Sequence, residues 1–252
     1  MAAFCHPVAF MTALSVSVEQ KSFARSDGAL KVLEGIHIDV AQDEFVAVLA
    51  PSGCGKTTLL QIAAGLDKDF SGSVQYAPGI AQNLAYVFQS PCLLPWRTVR
   101  ENIALVLNDA SLPPGAIDKM LADVGLPGSQ DLYPSQLSLG MQRRVSLARA
   151  FMLRPKLLFM DEPFVSIDEE MALRLRQLLK ALLARNPATT IFVTHDWREA
   201  LMLADRLLFL GDSPARITGE LTVSLDQQQR QDPKGLEMFH QEHLELFRWE
   251  NK

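Results

Sequence analysis

"LAPSGCGKTTLL", residues Leu49 to Leu60, is the stretch on which the reading of this chain turns. The apolar run "EFVAVLA" leads into it, and "KTTLLQIAAGL" follows with helical spacing that Gly65 can close. A strand, a glycine-containing loop and a helix in that order make an anion cradle. Loop and helix N–H groups point at phosphate, and the helix N-terminus favours negative charge. The run from Ala50 through Ser52, Gly53, Cys54 and Gly55 to Lys56 and Thr57 fits [AG]-x-x-x-x-G-K-[ST]. The N–H groups from Gly53 to Thr58 are expected to wrap the phosphates. Lys56 is expected to reach the β and γ oxygens, and the Thr57 hydroxyl to ligate Mg²⁺. Ala50 stands where glycine often begins the pattern. Its methyl matters only if that position needs φ > 0, where alanine costs on the order of 1 kcal/mol.

Working outward, "LAYVF", "KLLFM", "TTIFVTH" and "DRLLFLG" are further strand candidates that alternate with helical stretches. That alternation predicts a parallel sheet covered by helices on both faces. From about Ser90 to Arg154 the character changes to helices and Pro/Gly turns with no convincing strand. There Thr98 and Glu101 form a capping box for "VRENIALVL". "GAIDKMLADVGL" follows Pro113 and Pro114, and "LGMQRRVSLARAFMLRP" reads as a helix that stops before Pro155. The expected organisation is an extension over 1–13, a nucleotide-binding core over 14–89 and 155–225, a helical subdomain over 90–154 and a tail over 226–252. The tail is polar and Gln-rich. It becomes weakly amphipathic through Phe239, Leu244 and Phe247, which predicts a solvated extension with one packed helix.

Composition narrows the function classes. The 252 residues are 48% hydrophobic and 21% charged, with a formal charge of -5. No basic surplus is present for nucleic acid to bind. The cysteines, Cys5, Cys54 and Cys92, are few and odd in number, which points to a reducing compartment. No apolar run approaches the ~20 residues of a membrane helix. The first 14 residues are apolar but carry no Lys or Arg, so they make a poor secretory signal, and Met11 is an alternative start. A cytoplasmic protein is expected.

"LLFMDEP" ends a buried strand with two adjacent carboxylates. Alternation along a strand sends Asp161 and Glu162 to different sides, so Asp161 can hold the Mg²⁺ shell while Glu162 polarises an attacking water. His195 caps "TTIFVTHD" at the strand end that faces the ligand crevice of an open parallel sheet. Gln89 ends "LAYVF", within reach of metal or water if the sheet order allows it.

In order, the phosphate loop, Gln89, "LSLGMQRRVSLARA" (Leu137 to Ala150), "LLFMDEP" with "VSID" (Val165 to Asp168), and His195 resemble the ATPase subunit of an ABC transporter. The resemblance covers about residues 14 to 225. It implies a P-loop NTPase (RecA-like) α/β core with a mostly parallel sheet, an antiparallel β-subdomain and an inserted helical subdomain. It also implies a homodimer that sandwiches two ATPs with Mg²⁺. Ser138 and Gly140 would contact the γ-phosphate held by the opposite copy, and Asp168 would belong to the nucleotide-binding set. Phe23 takes the position of the adenine-stacking aromatic, with a core phenylalanine as the other reading. The signature departs from Leu-Ser-Gly-Gly-Gln at Leu139 and Met141, and Met at that position resembles the nitrate/sulfonate/taurine import group.

"SPCLLPWRTVRENIAL" resembles the groove that receives a permease helix, with Trp96 either an exposed anchor or local core. The implied partners are membrane permease subunits and, indirectly, a solute-binding protein, with the chain peripheral on the inner face of the membrane. A slow or nucleotide-sensing ABC subunit and a soluble non-transport ABC ATPase are the alternatives.

Overall fold

The structure, a computed structural model, describes residues 11–26, 28–107, 113–211 and 213–247. Residues 1–10, most of the expected N-terminal extension, lie outside them. Strands β1 (Thr12–Arg25), β2 (Gly28–Ala41) and β4 (Ser71–Tyr76) form an antiparallel sheet in the order β2-β1-β4. Thr12 and Ala13, assigned from sequence to the extension, belong to β1: Thr12 pairs with Ala41, and the Ala13 carbonyl accepts from Ala77 N–H at 2.9 Å.

The second sheet has the order β5-β6-β7-β3-β8-β9, with β3 (Phe45–Leu49), β5 (Leu84–Val87), β6 (Leu157–Asp161), β7 (Thr189–Thr194), β8 (Arg206–Gly211) and β9 (Arg216–Thr222). Neighbours pair in parallel except at the edge, where β9 runs against β8. Every residue of β3, β6 and β7 is buried. The reason is that both faces are covered, so a central strand reads as continuous apolar sequence rather than an alternation. Phe45, Ala47 and Leu49 join one core with Leu158 and Met160, and Val46 and Val48 join the other with Leu157 and Phe159.

Helix α1 (Lys56–Ala63) and the antiparallel sheet close the second core. The first core is closed by α2 (Val99–Ala104), α3 (Ala116–Asp123), α4 (Leu139–Met152), α5 (Glu169–Arg185), α6 (Trp197–Leu203) and α7 (Pro233–Glu242). The expected punctuation is in place. Gly65, at φ 71°, donates to the Ile62 carbonyl beyond α1, and the Thr98–Glu101 capping box opens α2.

The tail is more embedded than a solvated extension. Leu236, Phe239 and His240 share one face of α7, and His240 stacks on Trp197 with centroids 4.0 Å apart. Phe247 meets Phe209 edge-on. Leu244 is exposed, against expectation, because α7 ends at Glu242 and the helical period does not carry through the following turn.

Candidate nucleotide site

Because β3, β5, β6 and β7 run in parallel, their C-terminal ends meet along one sheet edge, where an open α/β sheet binds ligands. The phosphate loop leaves β3 there. Gly53 and Gly55 have φ of 83° and 87°, the left-handed region that favours glycine. A Cβ on Gly55 would lie 2.8 Å from Val32 Cγ1 and 2.9 Å from Leu33 Cδ2, so this glycine is also a close approach. No side chain caps α1, which leaves its first N–H groups open at the loop.

Ala50 is fully buried and is not among the described non-glycine residues at positive φ. The strain its methyl could have introduced is therefore absent. Ala50→Gly should change ATP affinity by less than about 1 kcal/mol in a direct binding titration. Its cost should fall on stability, on the order of 1 kcal/mol, as a buried methyl is lost and backbone freedom gained. A tenfold gain in affinity would mean the alanine loop is strained.

Lys56 is only 5% exposed, with Nζ 2.9 Å from the Ala50 carbonyl, 3.0 Å from the Pro51 carbonyl and 3.1 Å from Glu162 Oε1. Thr57 Oγ1 donates to Asp161 Oδ1 at 3.2 Å, and His195 Nδ1 lies 3.4 Å from Glu162 Oε2. The two carboxylates thus have different partners, as expected, but strand alternation is not the whole cause. β6 ends at Asp161, and Glu162 turns into the left-handed region at φ 42° with its N–H on the Val193 carbonyl. That conformation costs a glutamate roughly 1 kcal/mol or more. It places the carboxylate between Lys56 and His195. Burial raises the Asp161 carboxyl above its ordinary range; the Thr57 hydrogen bond and Lys56 oppose the rise, and the Glu162 charge adds to it.

The remaining expected residues are more dispersed. Gln89 is exposed two residues beyond β5, whose register with β6 brings it to the edge carrying Asp161 and Glu162. Phe23 is 43% exposed with Lys21 Nζ 4.6 Å from its ring centre, so the core reading is corrected: the ring lies at the surface with the ammonium over one face. Ser138 caps α4, accepting from Met141 N–H at 3.3 Å, and Asp168 caps α5, accepting from Met171 N–H at 2.9 Å. Both are exposed. Gly140 instead packs inward, where a Cβ would lie 2.8 Å from the Met171 sulfur. Leu139 turns outward rather than into the helical subdomain.

One of the contributors missed from sequence lies on α4. Arg143, buried on α4, donates to the carbonyls of Pro163 and Val165 and so ties the signature helix to the segment after Glu162. The available signal was an arginine on the inward stripe of α4, in helical register with Gly140 and Leu147.

A family model described as "ABC transporter" matches residues 33–165. The chain belongs to the ABC transporter family. In this ABC chain the matched span takes in the phosphate loop, Gln89, the signature segment and the Asp161–Glu162 pair. It is similar to the aliphatic sulfonates import ATP-binding protein SsuB 1 of Pseudomonas syringae pv. syringae (strain B728a). Identity there is 42% over 221 residues, covering 87% of this chain and 90% of the relative. The SsuB of Bacillus subtilis (strain 168) is 38% identical, with 84% and 86% covered. Among solved structures, the dimeric bacterial ABC transporter cassette MJ0796 superposes with a TM-score of 0.74 at 26% identity, covering 84% of this chain and all of that one. The same cassette in a post-hydrolysis state bound to ADP and Pi gives 0.73. The α/β core, antiparallel sheet and helical insertion expected of an ABC chain are the fold observed.

Proposed function

We propose that two copies of this chain sandwich ATP at the edge built by Lys56, Glu162 and His195 and drive uptake of small organic sulfonates through a separate permease. The chain is an ATPase of the ABC transporter family. The observation that carries the reading is the convergence of Lys56 and His195 on one carboxylate, Glu162, beside Thr57 and Asp161. The slow or nucleotide-sensing alternative gains no support from it, because the groups for hydrolysis meet at one place.

Lys56 would exchange the Ala50 and Pro51 carbonyls for the β and γ phosphate oxygens, while the N–H groups from Gly53 to Thr58, with Ser52 and Cys54, line the cradle. Thr57 and Asp161 present hard oxygen donors already in contact, and the ordinary Mg²⁺ site of a nucleotide enzyme uses one or two such groups plus phosphate oxygens. Bound there with Gln89 nearby, Mg²⁺ would neutralise charge on the β and γ phosphates. Glu162 would orient the attacking water and take its proton, and His195 would hold Glu162 and the γ-phosphate in line. Phe23 offers its exposed ring to adenine. Ser138 and Asp168, exposed at helix starts, and the backbone at Gly140 would face the nucleotide of the second copy.

The route to the membrane is a rigid platform. Among the described residues no helix is long and apolar enough to cross a membrane. Trp96, however, is 70% exposed, which excludes the core reading. Its segment is held by the buried Asn102, which accepts from Leu94 N–H at 2.7 Å and donates to the carbonyls of Leu94, Arg97 and Thr98. Arg149 secures the preceding turn through the Pro91 and Cys92 carbonyls. A permease helix on the inner face of the membrane would dock here, and the permease in turn would receive solute from a solute-binding protein. The sulfonate assignment rests on the relatives named above, since an ATPase does not touch the solute.

In membrane vesicles carrying the chain and its permease, supplied with the solute-binding protein, alkanesulfonate uptake should require internal ATP and vanish with Lys56→Ala. ATP turnover with no alkanesulfonate uptake would refute the solute class while sparing the ATPase.

A further inference from the structure

The turn that carries His195 is closed from below by a buried hydrogen-bond relay. Thr194, the last residue of β7, accepts from Asp196 N–H at 3.1 Å and donates through its hydroxyl to Glu199 Oε2 at 2.8 Å. The flanking residues of His195 are thereby locked to α6. The other oxygen, Glu199 Oε1, lies 3.4 Å from Arg176 Nη1 on α5. Arg176 is 3% exposed, also binds Glu169, and lies over the Phe164 ring with 6.0 Å to its centre. Phe164 follows Glu162 by two residues, and α5 opens at Asp168.

We infer that Glu199 is a positioning residue for hydrolysis: its carboxylate holds the His195 turn with one oxygen and α5 with the other. This rests on the reading that His195 works on Glu162. A hydrophobic residue would pack this site more cheaply than a buried carboxylate, since a buried ion pair rarely adds net stability. Orientation is what the carboxylate supplies.

Burial pushes the Glu199 carboxyl up from 4.5 to about 7, opposed by Thr194 and Arg176 and reinforced by Asp196 and Glu169; Arg143 also feels its charge. A raised folded value means the group's contribution to stability is present below 4.5 and lost as pH rises through about 7. Neutral glutamine does not suffer that loss. The melting temperature of Glu199→Gln relative to the natural chain should therefore improve between pH 5 and pH 8.

The test is a set of variants read for kcat, ATP affinity and melting temperature. Glu199→Gln, which has one accepting oxygen in place of two and no charge to offer Arg176, and Thr194→Val, which loses the hydroxyl that meets Glu199 and Asp196, should each lower kcat about tenfold or more. Affinity should stay within about twofold, and melting within about 4 °C at pH 8. Thr194→Ser, which keeps the hydroxyl, should recover most of the rate. Rates within twofold of the natural chain for both variants would overturn the inference. So would parallel losses of rate, affinity and melting that serine fails to rescue. If Glu199→Gln does not fold, Thr194→Val carries the same comparison. His195→Ala separates the two readings: an unchanged rate there refutes the role of His195 itself. A lost rate there beside normal Glu199→Gln and Thr194→Val refutes only the role of Glu199.

Discussion

Glu162→Gln should bind ATP at least as tightly as the natural chain and hydrolyse it at least ~10²-fold more slowly. Glutamine keeps the length and shape of the side chain, so the left-handed turn at φ 42° and the packing around it should survive. What disappears is the charge that Lys56 meets at 3.1 Å and the basic oxygen beside His195 at 3.4 Å. Loss of a negative charge next to the triphosphate removes a repulsion, which is why affinity should not fall. Phosphate release and a nucleotide-binding titration on the same preparation check both halves. Turnover at the natural rate would reassign Glu162 to holding Lys56 and nothing more.

Trp96→Ala should cost ~2 kcal/mol or more of permease binding, about a thirtyfold loss of affinity, with little change in the ATPase of the isolated subunit. Asn102 and Arg149 hold the segment by its backbone, so the ring is presented in a fixed place and little ordering is lost on docking. At 70% exposure the ring contributes little to the subunit's own core, and its removal should leave thermal stability nearly unchanged. Pull-down of the permease, subunit turnover and melting are the three readouts. A subunit that melts early while the permease still binds would mean Trp96 supports the fold and another surface meets the membrane protein.

The elements most legible in the sequence were those written locally. The phosphate loop announced itself because strand, glycine turn and helix are contiguous, and the capping box at Thr98 and the stop at Gly65 are single-turn chemistry. The strands β3, β6 and β7 were legible because double-sided burial forces unbroken apolar runs. What the sequence left open depended on distant contacts. Whether Trp96 and Phe23 were core or surface could not be read, since an aromatic suits both and only the assembled sheet decides. The different partners of Asp161 and Glu162 owe as much to a backbone turn after the strand, which no side-chain pattern encodes, as to strand alternation.

Buried charges were missed for the same reason. Arg176 sits in helical register with Ala172, Leu175 and Leu179, and Arg143 with Gly140 and Leu147, yet a lone arginine in an apolar stripe is invisible until its partners are known. Leu244 shows the opposite error: a helical period was carried past a helix end.

The central claim is that one nucleotide site is completed by two copies of the chain. It is tested most directly by the mass of purified Glu162→Gln in solution, measured by light scattering with and without ATP and Mg²⁺. The account predicts a monomer without nucleotide and twice that mass with ATP, reverting to monomer with Ser138→Arg, which places a long cation where the second γ-phosphate should sit. A variant saturated with ATP that stays monomeric at every protein concentration tried would contradict it.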